Sequence, residues 1–321
     1  MAGIPDERGI HEFKKYVKIS RMHGPVKELI EYSLARMLLA IFGLMPRAIA
    51  YPSARALAWV GFHLAQRQRR AGLENLQMAM PSLPDDERRR IVRGCFQNLG
   101  RLLVEFSHFP ELNKRNISQY VFHDGLEHYL EGLDRGRGVI FMTAHFGAWE
   151  LSSFAHSLYG YPLKFIVRPI DNSRVENLIS RYRIMGGNLP IHRRSAGRDI
   201  LRALRQNEAV GILFDQNTTR DEGIFVDFFG IPAATTTAIA SFALRTGAAV
   251  LPGFLIWEET IRKHRLRFDP PVELINTGDL AHDVAENTKI FNRILEGYVR
   301  KYPDQWLWIH RRWKTRPEGE S

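Results

Sequence analysis

VIFMTAHFGAWEL, residues 139–151, decides the fold. Val139, Ile140, Phe141 and Met142 form a short apolar run with the breakers Gly136 and Gly138 just upstream, which predicts a strand buried on both faces. Thr143, Ala144, His145, Phe146 and Gly147 fall where such a strand emerges into a turn, and Trp149, Glu150 and Leu151 open a helix-like segment. In α/β folds that strand-to-helix junction is where ligands bind. His145 and Glu150 are five residues apart, which on an ideal helix separates them by roughly 140°. A hydrogen bond between them therefore requires His145 on the turn and Glu150 in the first helical turn. So placed, the carboxylate holds one imidazole nitrogen while the other takes a proton from a substrate hydroxyl. The same residues also fit a plainer arrangement, a histidine satisfying a turn and a glutamate complementing a helix N-terminus.

Upstream of this stretch, residues 1–25 are polar and lack the apolar core and cleavage site of a secretory signal. Residues 29–45 read LIEYSLARMLLAIFGLM and are stopped by Pro46. A spanning helix needs roughly 20 predominantly apolar residues, and Glu31 and Arg36 interrupt this run. A second apolar segment, residues 53–66, ends in Arg67, Arg69 and Arg70. Two such helices followed by cations suit an element lying in one leaflet; a single crossing and plain packing on the core are the alternatives. Pro84, Asp85, Asp86 and Glu87 start a helix whose Ile91, Phe96, Leu99, Leu102, Leu103 and Phe106 have core spacing.

Downstream, residues 164–167 predict the next strand, with Arg168 at its end, where an always-charged planar fork of donors suits a phosphate or a developing oxyanion. The helix over 173–185 carries Arg174, Arg181 and Arg183, and with Arg193 and Arg194 these predict a basic rim. Ser195 is placed to cap a helix over 198–206. The apolar strand over 209–214 delivers Asp215 and Gln216 to the same edge as His145. Residues 217–237 read as a long loop in which Phe225, Phe228 and Phe229 either form the apolar wall of a binding site or simply pack. Further strands are expected over 249–257, 261–268 and 272–275, and a helix over 280–300. The closing residues 306–313 alternate aromatic or apolar with basic side chains, which fits a lipid boundary, a phosphate-lined cleft or a cap on the core.

Strands alternating with helices predict an α/β fold, and 321 residues with 45% hydrophobic content supply a full core. The expected organisation is a polar leader over 1–25, membrane-associating helices over 26–70, one main domain over 71–316 and a tail over 317–321. A net charge of +10 and a pI of about 9.8 suit partners carrying phosphate or anionic headgroups. Nucleic acid fits on charge alone, but the basic residues are scattered and no nucleic-acid-binding motif is present. Cys95, the single cysteine, cannot form an internal disulfide, so a reducing compartment is permitted.

HFGAWE resembles the H-x4-D/E signature of the glycerolipid-type acyltransferases, and its surroundings resemble the bacterial lipid A biosynthesis (lauroyl/myristoyl) acyltransferases. Four further pieces carry the likeness in order: Arg168-Pro169 with Asp171-Asn172, Asp215-Gln216, FVDFFGIPAA at 225–234 and PDQWLWIHRRW at 303–313. It runs from about Leu73 to Trp313. The resemblance implies a mixed central sheet flanked by helices, and acyl transfer from acyl carrier protein to a hydroxyl of a glycolipid acceptor, a lipid A precursor. It implies the cytoplasmic face of the bacterial inner membrane. His145 would be the general base and Glu150 its orienting carboxylate; Arg168, Asp215, Gln216 and Arg181 would serve the substrates. There is no G-x-S-x-G elbow to imply an acyl-enzyme and no histidine pair spaced for zinc, so neither metal nor cofactor is expected. The rivals are another acceptor in the same superfamily (a mannosylated phosphoinositide, an aminolipid or a lysophospholipid) and a non-catalytic protein of anionic membrane surfaces.

Overall fold

The computed structural model describes residues 24–192 and 196–319. The leader up to residue 23, the basic pair Arg193 and Arg194, and the Ser195 cap lie outside the described residues. The central strand is β2 (Val139–Thr143), in which Val139, Ile140, Phe141 and Met142 are all buried, as an uninterrupted apolar run demands. Its neighbours on one side are β5 (Ala209–Leu213), then β3 (Lys164–Val167) and β4 (Leu189–His192), all parallel to it. On its other side lies β8 (Ala249–Glu258), also parallel. Next comes β9 (Lys263–Phe268), antiparallel to β8, with β1 (Val121–Asp124) at the edge. Among the described residues the result is a seven-stranded mixed sheet in the order β1-β9-β8-β2-β5-β3-β4.

Alternating side chains divide the core between the two faces. Ile140, Met142, Val210, Ile212, Val250 and Phe254 face one apolar cluster, and Phe141, Ala209, Leu251, Leu255, Leu266 and Phe268 face the other. The second face is covered by α6 (Trp149–Leu158) and α7 (Ser173–Ile184), and the first by α9 (Ala238–Thr246) and α10 (Leu280–Lys301). Short helices α5 (Leu126–Asp134) and α8 (Ala196–Arg205) complete the layers. Residues 272–275 are not a strand. Nor is the stretch after β5 an irregular loop. It contains the antiparallel hairpin β6 (Gly223–Phe228) and β7 (Ile231–Thr236), closed by Phe229 and Gly230, both at positive φ (58° and 75°). Positive φ at both central residues is the two-residue turn that matches strand twist.

Before the sheet come α1 (Pro25–Leu44), α2 (Arg47–Leu64), α3 (Gln66–Ala79) and the long α4 (Asp85–Ser107). α2 continues through Pro52 and seats Ala50, Ala54 and Ala58 against α4. The approach is close: a Cβ at Gly100 of α4 would lie 2.8 Å from the carbonyl oxygen of Ala54. The opposite faces are bare. Leu44 is 86% exposed, Leu64 76% and Trp59 58%, with Leu29, Ile30 and Leu34 also open. No described helix is long and apolar enough to cross a membrane, so the alternative of a single crossing through residues 29–45 finds no support.

Candidate active site

The turn after β2 is braced from three directions. Gly147 has φ of 58°, and a Cβ there would stand 1.8 Å from the carbonyl oxygen of Leu255, so only glycine fits. Its N–H donates to the Gln305 carbonyl (2.8 Å) and its own carbonyl accepts from the Asn98 side chain of α4 (3.0 Å). Leu307 N–H donates to the His145 carbonyl at 3.1 Å. The C-terminal residues are therefore the cap among the three expected alternatives: Trp306, Trp308, Arg312 and Trp313 are buried. Phe228 stacks on Trp313 and Phe229 lies beside Trp308, so both pack in the core.

Parallel pairing of Thr143 with Leu213 puts the two strand ends level, so Asp215 arrives beside His145. His145 Nδ1 donates to Asp215 Oδ1 at 2.8 Å. The second carboxylate oxygen accepts from the His145 backbone N–H (3.1 Å) and from Trp306 Nε1 (2.9 Å). With Nδ1 protonated by this contact, Nε2 carries the lone pair, and the Gln216 amide lies 3.2 Å from it. Burial pulls the His145 pKa down, but the charge and hydrogen bond of Asp215, with a smaller push from Glu150, outweigh it and leave the imidazole above its ordinary value. Asp215 is buried, which would raise its pKa, yet His145 and Trp306 hold it below the ordinary carboxylate range.

Glu150 is not the partner of the imidazole. Its two oxygens accept from Arg183 Nε (2.9 Å) and Nη2 (2.6 Å), a two-pronged pair in which neither side chain is more than one-fifth exposed. The expectation placed the nearest acid in sequence on the histidine, whereas the neighbouring strand supplies a nearer one in space. Arg168 follows β3 and lines the same opening, exposed. Arg181 is exposed and takes no part in that lining; Arg183 does. Two residues on a helix point roughly 160° apart, so only one of these arginines can face inward. The signal was present in α7: Glu176, Ser180 and Arg183 share the face that turns to the core, where the first two are buried. His310 accepts from Asn217 N–H at Nε2 (3.0 Å), and burial lowers its pKa.

A cavity of about 320 Å³ begins at His145, Trp149, Glu150, Arg168 and Arg183. It continues between α6 and the sheet, past Phe141, Thr143, Leu163, Phe165, Gly211 and Leu213 on one side and Gly253, Leu266 and Phe268 on the other. Its mouth is polar and its interior mainly apolar, a shape suited to a molecule with a reactive head and a hydrocarbon tail. A depression of about 330 Å³ along α8 is lined by Arg198, Leu201, Arg202, Arg205 and Gln206 and assembles no acid–base pair. Among the described residues, no group of three or more His, Cys, Asp or Glu side chains is arranged to hold a metal ion.

Residues 23–315 match the family model of the bacterial lipid A biosynthesis acyltransferases. The chain is 29% identical over 257 residues to the lipid A biosynthesis palmitoleoyltransferase of Escherichia coli K12, an alignment covering 80% of this chain and 82% of that one. It is 25% identical over 276 residues to the lauroyltransferase of the same organism, covering 86% and 88%, and 26% identical over 287 residues to its myristoyltransferase, covering 88% and 86%. The sheet, the histidine at its carboxyl edge and these matches together make the chain a member of the bacterial lipid A biosynthesis acyltransferase family, and an acyltransferase of that type.

Proposed function

We propose that the chain moves a fatty acyl group from an acyl carrier protein thioester to a hydroxyl of a lipid A precursor, at the cytoplasmic face of the inner membrane. The observation that carries this reading is the 2.8 Å contact of His145 with Asp215 at the mouth of the cavity, which leaves Nε2 as the basic nitrogen. Nε2 removes the proton as the acceptor oxygen attacks the thioester carbonyl. The tetrahedral intermediate then collapses, the carbon–sulfur bond breaks, and the imidazolium returns its proton to the departing thiolate. Asp215 fixes the imidazole tautomer and stabilises the imidazolium. Arg183, held by Glu150, and Arg168 are the cations available to the oxyanion or an acceptor phosphate. Gln216 donates to the resting Nε2, and the acceptor hydroxyl would replace it there. The acyl tail occupies the cavity beneath α6.

The bare faces of α1 and α2 support contact with one leaflet, and the basic surface expected of a protein with net charge +10 favours both anionic headgroups and an acidic carrier protein. The test is acyl transfer by purified protein, using lauroyl, myristoyl and palmitoleoyl thioesters of acyl carrier protein and a lipid A precursor lacking one acyl chain. Mass spectrometry should find the precursor heavier by one acyl group, and His145→Ala should cut turnover by roughly 10²–10⁴-fold with the fold intact. Turnover unchanged by that substitution would remove the assignment.

A further inference from the structure

Glycine inside a strand weakens it, so an interior strand glycine calls for a reason. Gly211 lies in the middle of β5, paired with Phe141 of β2 on one side and Phe165 of β3 on the other. Its φ is not in the left-handed region, so the backbone does not demand glycine. Neither does packing. A Cβ built there meets Leu163 Cδ1 at 3.5 Å and then Lys164 O and Phe165 Cβ at 3.9 Å, all ordinary contacts. Gly253 of β8 is different, because its Cβ would press on the rings of Phe268 and Phe141 at 3.2 and 3.3 Å. The protein's own atoms explain Gly253 and leave Gly211 unexplained. What the missing side chain leaves is open space in the cavity, and Gly211 is partly accessible although its strand is flanked on both edges.

The depth of Gly211 matters. It is level with Phe141, two residues inward from Leu213 at the mouth, or roughly 7 Å along a strand. On the helix wall, His156 lies seven residues beyond Trp149, roughly 10 Å down α6. At this depth Phe141 and His156 line the cavity with Phe268 beside them, ring centres 4.9–5.3 Å apart. His156 is buried and held uncharged by its burial, so this stretch of wall accepts a hydrocarbon tail without desolvating a cation. A side chain at position 211 would therefore narrow the inner half of the cavity and leave the catalytic mouth untouched.

Resting on the acyltransferase reading above, we propose that Gly211 is a specificity-determining residue: its bare backbone sets the longest acyl tail that the cavity beneath α6 admits. The experiment compares wild type, Gly211→Ala and Gly211→Val on octanoyl, decanoyl, lauroyl, myristoyl and palmitoyl thioesters of acyl carrier protein. Acylated products are resolved by mass, and thermal unfolding is followed in parallel. The expected result is a preference moved to shorter chains, further for valine than for alanine. For the longest chain used by wild type, kcat/KM should fall roughly 10- to 200-fold for each methylene that no longer fits, while the shortest is hardly affected. An unchanged length profile, or an equal loss at every length, overturns the proposal while the acyltransferase reading stands. Unfolding of the alanine variant overturns it too, since the space argued for would not exist. If wild type transfers no acyl group from any of these thioesters, both readings fall together.

Discussion

Asp215 determines which nitrogen of His145 is basic. It accepts from Nδ1, receives Trp306 Nε1 and the His145 main chain on its other oxygen, and so has no freedom to rotate away. Its charge also sets the working pH. The imidazole pKa is raised above roughly 6.5, the ordinary histidine value, so the neutral base is lost as pH falls through that raised value. Asp215→Asn removes the largest raising influence and leaves burial, which lowers. The acid limb of the pH–rate profile should therefore move to lower pH, and kcat should drop by roughly 10²–10⁴-fold as the tautomer is no longer enforced. A profile with its acid limb unmoved would show that Asp215 does not act through the imidazole. The contribution of Glu150 comes by another route: it fixes a guanidinium at the mouth and adds only a longer-range push to the same pKa.

Among elements, the strand–turn–helix around His145 was legible because its cues are local: an apolar run, a glycine at a tight turn and an abrupt change of periodicity. The partner of the histidine was not legible from spacing. Asp215 is seventy residues away and arrives only through parallel pairing of β2 with β5, whereas Glu150 is close in sequence and bonded elsewhere. Arg183 was legible in principle from the face of α7, and the hairpin β6–β7 was hidden because phenylalanine occupies a position where Asn-Gly is the usual signal. For α1 and α2 the pattern showed apolar helices and the structure adds which side is bare. If that side meets lipid, replacing Leu44 and Trp59 by glutamate should weaken binding to phosphatidylglycerol vesicles by roughly 10- to 150-fold each, from the roughly 1.5–3 kcal/mol of burying such a side chain. Because both residues already face outward, the melting temperature should hardly change. Co-sedimentation measures the first quantity and thermal unfolding the second.

At the scale of the whole molecule, one buried carboxylate joins the helical layer to the sheet. Glu105 of α4 accepts from Tyr51 of α2 and from His264 of β9 (2.9 Å), and Arg47 stands 3.5 Å from its other oxygen. Burial alone would raise its pKa; His264, Arg47 and Tyr51 overcome this and bring it down to about 2. A lowered carboxylate stabilises the fold fully above its unfolded value of roughly 4.3, and that stabilisation disappears as pH falls towards about 2. Glu105→Ala should cost about 3–5 kcal/mol in denaturant unfolding at neutral pH, and the gap between variant and wild type should close over that acid window. A constant gap would mean that packing rather than charge is lost.

The brace supplied by residues 305–313 has a consequence for how the molecule comes into being. Leu307 and Gln305 hold the histidine turn, and Trp306 holds its carboxylate, so the earlier strands can assemble with the pair in place and its surroundings unbraced. A nascent chain still lacking residues 305–313 would carry His145 and Asp215 on their paired strands without the bonds that brace the turn and fix the carboxylate. The full catalytic geometry would therefore appear only once residues 305–313 have been made, well after α1 and α2.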